Sequence, residues 1–139
     1  MSTINRFEDL LSWQKARNLN KLVFKASKKE ALKHDFRLVA QWKSASGSVM
    51  DNIAEGFDRQ GNKEFIQFLS IARGSLGEVQ SQTYRVFDQN SITDQEFKEI
   101  FDCSQEIKSL IDKLMGYLKN SEIKGYKYKK GVVEVRKEV

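Results

Sequence analysis

The sequence predicts an all-α chain, an up-down-up-down four-helix bundle with a short basic C-terminal tail, on three observations. There is no proline in 139 residues, so the commonest helix breaker is missing. Apolar residues recur at intervals of three and four over four long segments, the period of a helix with one buried face. The segments are separated by only a few residues, at roughly 30–34, 57–61 and 90–92, so neighbouring helices must turn back on one another. At this length one domain with its own core is expected: residues 1–120 form the bundle and 121–139 the tail.

The first helix is expected over about residues 7–29. Leu11, Ala16, Leu19, Leu22, Val23 and Ala26 share one face, and Arg17, Lys21, Lys25 and Lys28 lie opposite as a basic stripe. Leu10, Trp13 and Phe24 fall off the core face, beside that stripe. Large apolar groups in such a place predict subunit contacts.

The second helix is expected over about 36–55, opening after Asp35 as N-cap and closing at Gly56 as C-cap. Val39, Trp42, Ala45, Ser46, Val49 and Ile53 make its core stripe, and Gln41, Ser48, Asn52 and Glu55 run along one edge. The third is expected over about 62–89 with Asn62 as N-cap. Its stripe is Phe65, Phe68, Leu69, Ala72, Leu76, Val79, Val86 and Phe87, flanked by Ser75, Glu78 and Gln82. Gly74 and Gly77 each cost about 1 kcal/mol relative to alanine in mid-helix, which predicts that a neighbouring backbone comes close.

The fourth helix, about 94–119, opens on Thr93-Asp94-Gln95-Glu96. That is the capping-box pattern, in which the Thr hydroxyl and the Glu carboxylate each satisfy a free backbone N–H. Phe97, Ile100, Phe101, Ile107, Ile111, Leu114, Met115 and Leu118 follow at helical spacing. Beyond Asn120, Gly125 and Gly131 punctuate a segment in which Lys124, Lys127, Lys129 and Lys130 alternate with Tyr126 and Tyr128. A mobile tail is the favoured reading there and a small β-hairpin the alternative.

Composition narrows the function. A single cysteine and a single histidine leave no internal disulfide, no ordinary zinc site and no nucleophile-histidine apparatus. No cofactor, no metal and no catalytic residue is therefore expected, with Cys103 structural and His34 exposed. The polar N-terminus and the lack of any run of ~18–20 apolar residues predict a cytoplasmic protein with no membrane partner. Twenty-four Lys and Arg against nineteen Asp and Glu leave +5, unevenly spread. The first helix and the tail are basic, whereas the fourth helix is acidic.

Two stretches carry a family resemblance. The run QWKSASGSVMDNIAEG from Gln41 to Gly56, with Arg59 and Glu64-Phe65, is followed by FLSIARGSLGE from Phe68 to Glu78. Together with Phe7-Glu8-Asp9-Leu10 and Trp13-Gln14-Lys15-Ala16, these resemble the four-helix-bundle proteins encoded in intervening sequences of bacterial 23S rRNA genes. The resemblance spans about residues 7–118 and leaves the tail outside. Lys43-Ser44 stands where relatives often have two basic residues, and Met50 where they often have proline.

What the resemblance implies is a ring-like homopentamer without known catalytic activity and with a suspected nucleic-acid-binding role. In fold it is also similar to the accessory protein of diversity-generating retroelements, which associates with a reverse transcriptase. Gln41, Asn52, Glu55, Gly56, Arg73, Gly74, Ser75 and Glu78 fall in the matching motifs. Their expected role is structural, as a hydrogen-bond network that fixes helix register, in preference to a ligand site. Arg73 is expected to pair with Glu55, Asp58 or Glu78.

The functional expectation is a non-enzymatic homo-oligomer that binds nucleic acid, plausibly structured RNA. The contacts are expected from Arg17, Lys21, Lys25 and Lys28, and from Lys127, Lys129 and Lys130 of the tail. The alternative is a protein-interaction scaffold whose ring docks a partner such as a reverse transcriptase. A bundle enzyme using Glu55 and Glu78 is disfavoured, because no Glu-x-x-His ligand pair accompanies them.

Overall fold

The computed structural model describes residues 4–121. Four helices account for most of them: α1 (Leu11–Ser27), α2 (Phe36–Asp58), α3 (Asn62–Asp88) and α4 (Asp94–Asn120), with no strand among the described residues. Each helix packs on the next and α4 closes back on α1, giving a four-sided bundle. Bonds between helices show that neighbours run antiparallel. Asn20 of α1 meets Ser46 of α2, Trp42 meets Thr83 of α3, and Lys29 after α1 meets Glu96 at the start of α4.

The chain starts α1 later than the sequence suggests. A 3₁₀ turn, Phe7–Asp9, comes first, and Leu10 is extended with φ −77° and ψ 127° before the helix begins. That break resets the helical phase. Leu10, expected on the outside as a subunit contact, is 1% exposed and belongs to the chain's own core.

The interior is a continuous set of aliphatic and aromatic side chains from all four helices. Trp42 is fully buried, and its indole N–H donates to Thr83 Oγ1 at 3.0 Å; that hydroxyl donates in turn to the Val79 carbonyl. A buried indole needs such a partner, since an unmade bond costs more than a made one contributes. Leu38 and Phe57 join the α2 stripe, while Val39 is only half buried.

Helix ends follow local chemistry in part. Asp35 accepts from the Leu38 N–H, and the capping box of α4 is complete, Thr93 Oγ1 accepting from Glu96 N and Glu96 Oε1 from Thr93 N. Asn90, with φ 60°, turns the chain out of α3 in the left-handed region that asparagine tolerates.

Two of the expected caps are different. Gly56 does not end α2, which continues to Asp58; the chain leaves through Gln60 at φ 67°. Gly61, not Asn62, precedes α3, and Asn62 uses its amide to donate to the Leu118 carbonyl of α4 at 3.2 Å.

Gly56 has another role. A Cβ built there would lie 2.7 Å from Phe68 Cβ and 3.0 Å from Phe65 Cδ1, so α2 and α3 touch at this point. At Gly74 and Gly77 nothing lies within 4 Å of an added Cβ. The close approach expected at those two positions occurs at Gly56 instead.

Candidate nucleic-acid interface

Helical phase sets the outer face of α1. Trp13, Arg17, Lys21, Phe24 and Lys28 fall within about 40° of one line, because their spacings are four, four, three and four. The side chains interleave. Arg17 lies over the Trp13 ring at 5.9 Å from its centroid, and Lys28 over Phe24 at 4.2 Å. Lys43 of α2 reaches the same Phe24 ring at 5.3 Å, so the face spans both helices. Each such contact contributes about 0.5–1 kcal/mol at exposed sites, enough to bias a long cationic side chain towards one rotamer.

The α1–α2 seam is clasped at mid-length. Asn20 Nδ2 donates to the Ala16 and Ser46 carbonyls at 3.0 and 2.7 Å, and Ser46 Oγ donates to Asn20 Oδ1. Since Ser46 is 1% exposed, water does not compete for these bonds. The clasp sets α2 against α1 one turn from Lys43 and one turn from Phe24.

Several cations elsewhere are matched with carboxylates: Lys15 with Glu106, Lys29 with Glu96, Arg59 with Glu55 and Glu64, Arg73 with Asp112, and Lys98 with Asp102. Arg17, Lys21, Lys28 and Lys43 are exposed and form no such ion pair among the described residues. Their charges add instead of cancelling, which is what a surface for polyanions requires. Lys25 is set apart from them. It walls a cavity of about 80 Å³ between α1 and α4 together with Glu96 and Glu99.

Trp13 and Phe24, expected as subunit contacts, therefore sit within the basic row. Phe24 is 49% exposed; Trp13 is half buried, with Phe7 at 5.1 Å on one side. Below them Arg6, Glu8, Trp13, Arg17 and Lys21 line a shallow cleft. Lys43 was missed by sequence reasoning. Its signal lies in the contact with Phe24, which joins residues of two helices.

The family-motif residues lie on other sides. Asn52 donates to the carbonyl and hydroxyl of Ser48, and Ser48 shares a 2.9 Å hydrogen bond with Ser75, linking α2 to α3. Gln41 accepts from Arg85 at 3.3 Å. Glu55 bonds Arg59 one turn on, and Glu78 is exposed, so neither carboxylate joins the Asn52 network. Arg73 was expected to pair with Glu55, Asp58 or Glu78, but it makes a two-pronged contact with Asp112 of α4 at 2.6 and 3.0 Å. Its position on the α4 side of α3 decides this. The contact holds the Arg73 pKa above its ordinary value, through the hydrogen bond first and the charge of Asp112 second.

Two further groups have shifted proton affinity. Burial pushes the Cys103 thiol up to about 11, with the negative charge of Glu106 adding to it, against smaller opposing effects of Lys15 and Asn18. Burial also pushes Glu96 up, but its bonds to Lys29 and to Thr93 together prevail and leave it below its ordinary value. Neither group lies on the basic row. Lys127, Lys129 and Lys130 of the tail lie outside the described residues.

No helix among the described residues is long and apolar enough to cross a membrane, and no three His, Cys, Asp or Glu residues there are grouped to hold a metal ion. Residues 8–113 match a family model described as 23S rRNA-intervening sequence protein. No curated protein matches the chain.

Proposed function

This chain belongs to the 23S rRNA-intervening sequence protein family, and we propose that it is a non-enzymatic, cytoplasmic homo-oligomer, a pentamer, that binds RNA through the outer face of α1 and the adjoining turn of α2. One observation carries the reading. Arg17, Lys21, Lys28 and Lys43 share a face with the rings of Trp13 and Phe24 and form no ion pair among the described residues. Phosphate oxygens suit such a row, and neutralising several of them releases counterions, the dominant source of affinity for nucleic acid.

Repetition around a ring would multiply the charge. Ile71 and Tyr84 of α3 are 53% and 50% exposed and stand off the basic row; apolar groups of that size in the open support self-association. The cations Lys127, Lys129 and Lys130 extend the proposed contact, on the strength of their alternation with tyrosines in the sequence. Recognition of this kind rests on phosphate and shape.

The test replaces Arg17, Lys21, Lys28 and Lys43 together with glutamine and follows the mobility shift of a 23S rRNA hairpin fragment, with oligomer mass read by light scattering. Loss of the shift at unchanged mass is expected. An unchanged shift would place RNA elsewhere on the protein. If the parent itself gives no shift at low salt, the scaffold reading, in which the ring docks a protein such as a reverse transcriptase, replaces this one.

A further inference from the structure

We infer that the basic row binds unpaired nucleotides, with Phe24 and Trp13 as stacking surfaces for bases, so that single strands are preferred over duplex. The inference rests on the proposed RNA-binding role and adds the substrate class. Phosphate attraction alone would not need rings, and a row of lysines and arginines is served equally well by helix or strand.

The rings are placed as a stacking surface needs them. Phe24 is half exposed, with Lys28 and Lys43 over its ring, so a base stacks there as an ammonium moves off the ring onto the phosphate of the same nucleotide. Trp13 repeats the arrangement with Arg17. Lys21 stands between the two. The rings are eleven residues apart on one helix, about 16 Å at 1.5 Å per residue, the reach of a few extended nucleotides. In a duplex the base faces are already stacked on one another and turned away from the protein. Only an unpaired base can offer its face, and stacking of that kind tolerates any sequence.

Burial argues against a purely structural role for Phe24. Its ring contributes little to the core, which is complete beneath it with Val23, Leu19 and Ala26. Removing the ring should therefore alter binding and leave the fold intact.

The experiment measures anisotropy of a fluorescein-labelled RNA decamer, single-stranded and as a perfect duplex, against the full-length parent, Phe24→Leu and Lys21→Gln. Leucine keeps an apolar group while removing the π-face. Phe24→Leu should weaken the single strand by about 5- to 100-fold, the range for loss of one base–aromatic stack, and change duplex binding less than twofold. Lys21→Gln should weaken both probes alike. Trp13→Leu, checked for helix content by circular dichroism, gives a second reading of the same kind.

Equal loss on both probes in Phe24→Leu, or no loss on either, overturns the stacking role while leaving RNA binding in place. Duplex bound as tightly as single strand by the parent overturns it too. Failure of the parent to bind either probe at low salt removes the RNA-binding reading and this inference with it.

Discussion

Gly56→Ala should destabilise the protein, although helix propensity alone says the opposite. Inside a helix alanine is favoured over glycine by about 1 kcal/mol. The structure reverses that sign, because the new Cβ would stand 2.7 Å from Phe68 Cβ. Carbon atoms pack best at about 3.5–4.0 Å, so α2 and α3 must part by roughly 1 Å there. A Cβ cannot rotate aside, and neither partner is the far end of a flexible chain. Parting the helices also loosens the edge-on contact of Phe57 with Phe65, whose rings are 5.9 Å apart.

Overpacking of this kind costs about 1–3 kcal/mol, leaving a net loss of up to about 2 kcal/mol and a melting point lower by up to several degrees. Gly74→Ala is the control, since nothing lies within 4 Å of the added methyl. It should gain about 0.5–1 kcal/mol. Thermal and urea unfolding of both variants read the two signs. A Gly56→Ala protein that gains as much stability as Gly74→Ala would falsify the close approach of α2 and α3.

Three further outcomes are expected. Asn20→Ala should cost about 0.5–1.5 kcal/mol in urea unfolding, because it removes the bonds that tie α1 to Ser46 of α2 while the Ser46 hydroxyl keeps the Lys43 carbonyl; no measurable loss would show that the clasp is not needed. Cys103 should react with a disulfide reagent at pH 8 at least roughly 100-fold more slowly than a free thiol, given its burial and a pKa raised to about 11. Labelling at the rate of an exposed cysteine contradicts that. Because the folded-state pKa of Glu96 is depressed, its stabilisation is present above the unfolded carboxyl value of about 4.3 and is lost as pH falls through the folded value. The stability difference between the parent and Glu96→Gln should therefore hold at neutral pH and shrink in acid; a difference independent of pH would remove the charge interaction with Lys29.

Features set by contiguous residues were legible in the sequence. The capping box needs only Thr93 and Glu96, the Asp35 cap only the next three residues, and the stripes of α3 and α4 only a period. What required the fold was any choice among partners. Arg73 had several carboxylates within reach of an extended side chain, and only the packing of α3 on α4 selects Asp112. Gly56 was read as a helix end because glycine often is one, whereas its reason is Phe68, a neighbour on another helix. Leu10 was misplaced by assuming an unbroken helix from residue 7 onward. The basic stripe was legible residue by residue, whereas Lys43 joins it only through the packing of α2 beside α1, where it reaches Phe24.

The most direct measurement of the central claim is the salt dependence of RNA binding. Affinity for a single-stranded RNA should fall linearly as log affinity against log salt. If four or so phosphates are neutralised, the slope is about −3. Neutralising Lys21 and Lys28 together should flatten it by more than one, and neutralising Lys25 should change it least. Binding that does not vary with salt, or a slope unaltered by those substitutions, would contradict the assignment of the α1 face as the surface that meets RNA.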